Sequence, residues 1–165
     1  MAILVAYATR YGSTQEVAQT ITETMRAHGL EVEMLPAYAV RTLETYDAVV
    51  LGAPLYMMRW HRDARKFLKR HRIALSELPV AIFALGPLHN VEEERRGSRE
   101  PLDRALGKMP WLVPAAVEVF GGKVDPTKLR FPFNRMPAGD ARDWGAIRAW
   151  ADRLAAMFRP AVLPT

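Results

Sequence analysis

Residues 3–18, ILVAYATRYGSTQEVA, decide the fold of this chain. An apolar run, Ile3 to Tyr7, stops at a small hydroxyl-rich turn, Thr9-Arg10-Tyr11-Gly12-Ser13-Thr14, and a helical pattern opens at Gln15-Glu16-Val17-Ala18. A short apolar run bounded by a turn reads as a buried strand. Strand, hydroxyl turn and helix start together form a phosphate cradle, because the first amides of a helix lack partners and its dipole favours an anion. The turn has no GxxxxGK[ST], so the lysine and magnesium hydroxyl of a P-loop are missing. Gly12 stands alone, so there is no GxGxxG dinucleotide fingerprint. What remains is a cradle for one terminal phosphate, held by hydroxyls and amides without a loop lysine. The competing reading is an ordinary βα turn capped by Ser13 or Thr14.

Outward from that stretch, strand and helix patterns alternate. Residues 14–28 read as an amphipathic helix with Val17, Ala18, Ile21 and Met25 inward, closed by Gly29, with His28 in its last turn. Leu30–Leu35 reads as a strand nearer a sheet edge, and Ala48–Leu51 as a central strand covered on both faces. A helix is expected over about 62–71 with Ala64, Phe67 and Leu68 inward, then a strand at Val80–Leu85. Asn90–Glu100 reads as a polar excursion before a short helix at Leu102–Leu106. Ala115–Phe120 is the last strand, 123–139 a long proline-rich basic loop, and about 141–158 the final helix, striped with Trp144, Ile147, Trp150 or Ala151, and Leu154. Asp140 and Asp143 read as caps on that helix. Five strands alternating with helices imply a three-layer α/β fold on an open parallel sheet, as one domain over 1–165 without repeats or linker.

Composition narrows the chemistry. The 165 residues are 50% hydrophobic and 25% charged, as in a globular domain. No apolar run approaches a membrane span, and the N-terminus lacks a signal-peptide pattern, so a cytoplasmic location is expected. With no cysteine, thiolate catalysis, disulfides, iron–sulfur clusters and cysteine-held zinc are excluded. His28, His61, His71 and His89 show no metal-ligand spacing, so no metal is expected. Redox chemistry would have to belong to a bound cofactor. The net charge is +5, concentrated in Arg59, Arg62, Arg65, Lys66, Lys69, Arg70 and Arg72 against Asp63 alone. That face is either solvated or a docking surface for an acidic redox partner, an anionic substrate or an anionic membrane; nucleic acid is not expected.

In an open parallel sheet, ligands sit outside the carboxyl ends of the strands. Two further strand ends carry unusual residues: Gly52-Ala53-Pro54-Leu55-Tyr56-Met57-Met58-Arg59-Trp60 and Leu85-Gly86-Pro87-Leu88-His89-Asn90. Beside a phosphate cradle, Tyr56, Met57 and Trp60 suit a flat phosphorylated ring, and flavin mononucleotide (FMN) fits that description. The alternative is that Tyr56 and Trp60 simply cover the strand ends. His89 could donate to the ring or be an exposed loop histidine.

These loops resemble those of the flavodoxin-like proteins. Thr9, Gly12 and Thr14 match the hydroxyl-x-hydroxyl-Gly-x-Thr pattern of the first loop, with Tyr11 in place of the second hydroxyl. The form T-R-x-G-x-T is similar to the subgroup containing menaquinone-dependent protoporphyrinogen oxidase, as are Gly52-Ala53 with Tyr56 and His61, Gly121-Gly122, and Gly139-Asp140 with Asp143-Trp144. The resemblance implies the strand order 2-1-3-4-5 and FMN as cofactor. It places the phosphate on Thr9, Arg10, Tyr11, Gly12, Ser13 and Thr14. One side of the ring falls to Ala53, Pro54, Leu55, Tyr56, Met57 and Met58, the other to Gly86, Pro87, Leu88, His89 and Asn90. The flavin itself would be the reactive centre. The subgroup has a long basic and aromatic insertion after the last strand; here Lys123–Gly139 is shorter, but keeps Lys128, Arg130, Phe131, Phe133 and Arg135. Three functions stand open: an FMN-dependent carrier passing electrons to a protein, quinone or small-molecule acceptor; menaquinone-dependent protoporphyrinogen IX oxidation in haem biosynthesis; or a non-enzymatic binding module. Peripheral contact with an anionic membrane is a further expectation.

Overall fold

The computed structural model describes residues 2–56, 59–86, 92–124 and 139–162. Five principal strands form the sheet: β1 (Ile3–Tyr7), β2 (Val32–Pro36), β3 (Ala48–Tyr56), β4 (Val80–Leu85) and β5 (Ala116–Phe120). Their order is β2-β1-β3-β4-β5, all parallel, with the two-residue strand Arg59–Trp60 turning back against the end of β3. The expected 2-1-3-4-5 order is the one observed, and strand order reverses between β1 and β3.

Alternation along each strand builds two cores. Ile3, Val5 and Tyr7 of β1, with Ala48 and Val50 of β3, face helices α1 (Ser13–Ala27) and α5 (Trp144–Val162). Leu4, Ala6, Val49 and Leu51 face the opposite layer, α2 (Arg62–Arg70), α3 (Arg72–Leu75) and α4 (Glu92–Gly107). This is what period-two side chains on a sheet covered on both faces require. α1 presents Val17, Ala18, Ile21 and Met25 to the sheet, as its spacing predicts. Trp150 and Ala151 of α5 are both buried; the Trp150 ring stands edge-on to Phe83 (5.9 Å) and Phe120 (5.6 Å). Gly29, at φ 85°, releases the chain from α1. His28 follows α1 and its Nε2 lies 2.7 Å from Asp152 Oδ1, tying α1 to α5.

The structure departs from the sequence reading at three places, each with a physical cause. β3 does not stop at Leu51 but runs to Tyr56. Gly52 and Pro54 read as breakers, yet Gly52 sits mid-strand, where a Cβ would stand 1.8 Å from the Phe83 ring on neighbouring β4. Glycine is there to admit that ring. Pro54 lacks an N–H, but its carbonyl accepts from the His61 N–H at 3.1 Å. The second departure is that residues 92–100, expected as an irregular polar excursion, belong to α4, a single helix with Pro101 inside it. Its polar half showed no apolar stripe, and Pro101 reads as a helix start. Arg99–Asp103 (3.0 Å) and Glu100–Arg104 (3.5 Å) pair along its surface at the i,i+4 spacing. Thirdly, the 123–139 segment is not loop at its ends: Lys123–Val124 pairs antiparallel with Gly139–Asp140. Residues 125–138 lie outside the described residues.

Replacing Gly52 by alanine forces a methyl group against the fully buried Phe83 ring, so the ring or the strand must shift. G52A is expected to lower stability by about 1–3 kcal/mol, read by chemical denaturation. An unchanged midpoint would show that the ring is not held in place by this gap.

Candidate functional site

The reversal of strand order brings the carboxyl ends of β1 and β3 side by side. The Ala8 N–H donates to the Gly52 carbonyl at 2.9 Å, fixing the start of the first loop to β3. The Thr9 hydroxyl oxygen then accepts from the Gly12 N–H at 2.8 Å, closing the hydroxyl turn on itself. Gly12 takes φ 91°, a left-handed conformation that a side chain would strain, and from there the chain enters α1.

The start of α1 bears on the two readings of the loop. Neither Ser13 nor Thr14 caps the helix: Gly12 is the N-cap residue, and among the described residues no side-chain cap bond is made there. Those amides therefore face outward without helical partners. Thr14 is fully buried in the first turn, and its Oγ1 has no hydrogen-bond partner among the described residues. A buried hydroxyl left unpaired costs about 1–3 kcal/mol, and Thr14 Oγ1 carries that cost beside the open amides. An anion at the helix start would satisfy both the amides and Thr14 Oγ1, as an FMN phosphate would. Arg10 and Tyr11 stand at the outer edge of the loop, both exposed; Arg10 Nε donates to the Tyr11 hydroxyl at 3.0 Å.

Arg142, which no sequence motif singled out, braces the loop from behind. Its side chain is only 3% exposed and contacts four groups. The guanidinium binds Asp140 at 2.8 Å, reaches the Ser13 carbonyl at 3.3 Å and Glu16 at 3.5 Å, and lies 4.7 Å over the Trp144 ring. Hydrogen bonds from Arg142 hold the Asp140 carboxyl below the usual carboxylate range, while Asp140 raises the arginine further. The staple thus remains charged at neutral pH and joins the stem of the 123–139 segment to the first turn of α1. Asp140, expected as a helix cap, is instead the partner of Arg142. Asp143 does cap α5, accepting from the Ala146 N–H at 3.0 Å.

The second loop is a hairpin rather than a compact turn. Ala53 and Pro54 continue the β3–β4 ladder, and Leu55 and Tyr56 pair with Trp60 and Arg59. The Ala53 side chain is buried in the core and its carbonyl accepts from Trp60 Nε1 at 3.1 Å. Trp60 is itself only 1% exposed, so it is a core residue and not a wall for a flat ligand. Pro54 and Leu55 are half-buried at the mouth. Met57 and Met58 lie outside the described residues, as do Pro87, Leu88, His89 and Asn90 of the third loop. Of that loop Gly86 is placed: its N–H donates to the Phe120 carbonyl at 2.9 Å, and a Cβ on Gly122 would approach its carbonyl oxygen to 3.0 Å. Close backbone packing therefore fixes where the third loop leaves the sheet.

His61 closes the second loop and starts α2, its Nδ1 accepting from the Asp63 N–H at 3.0 Å. Burial lowers its pKa from 6.5; Asp63 opposes this, while Arg10, Arg62 and Arg65 reinforce it.

A profile of the flavodoxin domain matches residues 4–136. Protoporphyrinogen IX dehydrogenase (quinone) of Escherichia coli strain K12 is 26% identical over 97 residues, 58% of this chain and 54% of that protein. The chain thus spans about half the length of the curated relatives it matches. Among solved structures, oxidised flavodoxin 1 from Bacillus cereus superposes with a TM-score of 0.60 at 16% identity, covering 99% of this chain and 100% of that one. Rubredoxin oxygen:oxidoreductase from Desulfovibrio gigas gives 0.64 at 16%, over 99% of this chain and 37% of that one. At such identities the likeness is one of fold.

His61 Nδ1 can accept from Asp63 only while unprotonated. Its folded pKa lies below the unfolded value, so its contribution to stability is present above the ordinary value of 6.5 and lost as pH falls through the folded one. In His61→Asn the amide oxygen can cap without titrating. The variant is expected to lose less stability than the parent between roughly pH 7 and pH 5, measured by thermal denaturation. Parallel pH profiles would contradict this role.

Proposed function

This chain belongs to the flavodoxin domain family, and we propose that it is an FMN-dependent redox protein carrying electrons between a donor and a protein, quinone or small-molecule acceptor. The observation that carries this reading is the uncapped first turn of α1, with the buried, unpaired Thr14 Oγ1 beside it. When bound, FMN supplies the electron-transfer chemistry. The chain's own task is to bind and orient it. The first-turn amides and the hydroxyls of Ser13 and Thr14 would hold the phosphate, with Gly12 giving backbone access. Pro54 and Leu55, at the hairpin, and Gly86, at the start of the third loop, border the space where the ring would lie. An unpaired Thr14 supports a chain that keeps its cofactor rather than a binding module that has lost it.

A second reading, protoporphyrinogen oxidation coupled to a quinone, is favoured by the match to the Escherichia coli dehydrogenase. Porphyrin propionates are anionic, and Arg62 and Lys66 are exposed on the turn of α2 that follows the second loop. A positive rim there would steer an anionic substrate or an acidic redox partner toward the flavin end of the sheet. Among the described residues no helix is long and apolar enough to cross a membrane.

Thr14→Val separates binding from folding. Removing an unpaired buried hydroxyl is expected to leave the flavin-free protein as stable as the parent or more so. Losing a hydrogen bond to a charged phosphate, worth about 1.5–3 kcal/mol, should weaken FMN binding about ten- to hundredfold, read by quenching of flavin fluorescence. Unchanged affinity would remove Thr14 from the phosphate site.

A further inference from the structure

The basic segment 59–72 does not form one surface. Arg59 and Arg62 stand near the carboxyl ends of the strands, but α2 runs back along the sheet for nine residues, roughly 13 Å. Lys69, Arg70 and Arg72 are thereby delivered to the amino ends of β3 and β4. There they meet Arg41 around a groove of about 730 Å³, a volume typical of small-molecule sites. The groove opens at the end of the sheet opposite the hydroxyl loop, at least the length of β1 away, roughly 16 Å.

Its lining is incomplete in the same sense as the phosphate loop. Among the described residues, Arg41, Lys69 and Arg70 make no ion pair, and Arg72 lies 5.7 Å over the Trp111 ring. Glu44 and Glu77 also line the groove, leaving an excess of cations. His71, only 8% exposed, lines it too, and its Nε2 makes no hydrogen bond. Burial holds that imidazole below its ordinary range and Arg70 adds repulsion, while the Val40 carbonyl pulls the other way. The Tyr46 hydroxyl, by contrast, is already committed to Glu33 at 2.6 Å. The unpaired cations around this groove suit a ligand that brings several negative oxygens, and the His71 Nε2 can donate to one of them once the ring is protonated. Planar guanidinium groups match phosphate oxygens in pairs.

We propose that this groove is a second anion site, separate from the hydroxyl loop, which takes a compact phosphate-bearing ligand between Arg41, Lys69, Arg70 and Arg72, with His71 donating to it in the protonated form. The phosphate can come from a soluble molecule or from a lipid headgroup. Ile73, 83% exposed on the rim of the groove, is the residue a lipid would use.

The test uses isotopically labelled, FMN-saturated protein titrated with inorganic pyrophosphate and followed residue by residue by NMR. In parallel, sedimentation is measured with vesicles of phosphatidylcholine alone or with about a third phosphatidylglycerol. A soluble ligand predicts saturable pyrophosphate shifts centred on residues 41–46 and 69–78, with the His71 ring titrating at higher pH in the complex. A headgroup predicts saturable binding to the phosphatidylglycerol vesicles alone. In either case Arg41→Gln/Arg72→Gln, on exposed side chains, should weaken binding at least about tenfold with an unchanged melting temperature. Absence of both kinds of binding, shifts confined to residues 9–14, or affinity unchanged in the double variant would overturn the proposal. Because the readout is assigned by residue, the result stands apart from whether the hydroxyl loop holds flavin.

Discussion

The first turn of α1 is a helix start that the protein declines to cap. Ser13 and Thr14 have the right chemistry for capping, yet Gly12 takes the N-cap position in a left-handed conformation and leaves the amides open. The open turn can persist because everything around it is fixed. Ala8 is bonded to β3, Thr9 closes the loop on Gly12, and the buried Arg142 holds the Ser13 carbonyl from behind. An anion site built from backbone donors works only if those donors do not have to be reorganised when the ligand arrives. In the proposed site, the unpaired hydroxyl of Thr14 would be the cost of that preorganisation in the free chain.

The two cores explain why the site is rigid. On one face, Phe83 and Phe120 meet the Trp150 ring of α5 edge-on, and the Phe83 ring occupies the space that a side chain at Gly52 would need. That packing carries β3 past its expected end, so the second loop becomes a hairpin, with Trp60 buried beneath it. Arg142 then couples the stem of the 123–139 segment to α1. Among the described residues, that charged staple links the stem directly to the hydroxyl loop.

Local patterns were legible in the sequence wherever neighbours in the chain are neighbours in space. The apolar run at 3–7, the stripe Val17, Ala18, Ile21 and Met25, and the hydroxyl turn at 9–14 each carry their own meaning. Trp60 was not legible in this way: next to Tyr56 it looked like a wall for a flat ring, and only the fold shows its indole donating to Ala53 in the core. Pro101 hid the first half of α4, because a proline inside a helix is rare and one at its start is common. Arg142 gave no signal, since Ser13 and Glu16 lie more than a hundred residues away in sequence. The groove at Arg41 and Lys69–Arg72 was hidden likewise. The charge run read as one face, and the length of α2 divides it in two.

The central claim, that the hydroxyl loop holds the phosphate of FMN, is tested most directly by comparing the affinities of the flavin-free protein for FMN and for riboflavin. The two ligands share the ring and differ in the phosphate. With several amide and hydroxyl donors aimed at that group, each charge-assisted bond contributing about 1.5–3 kcal/mol, FMN should bind more than about a hundredfold tighter. Equal affinities for the two, or no binding of FMN at all, would contradict the account.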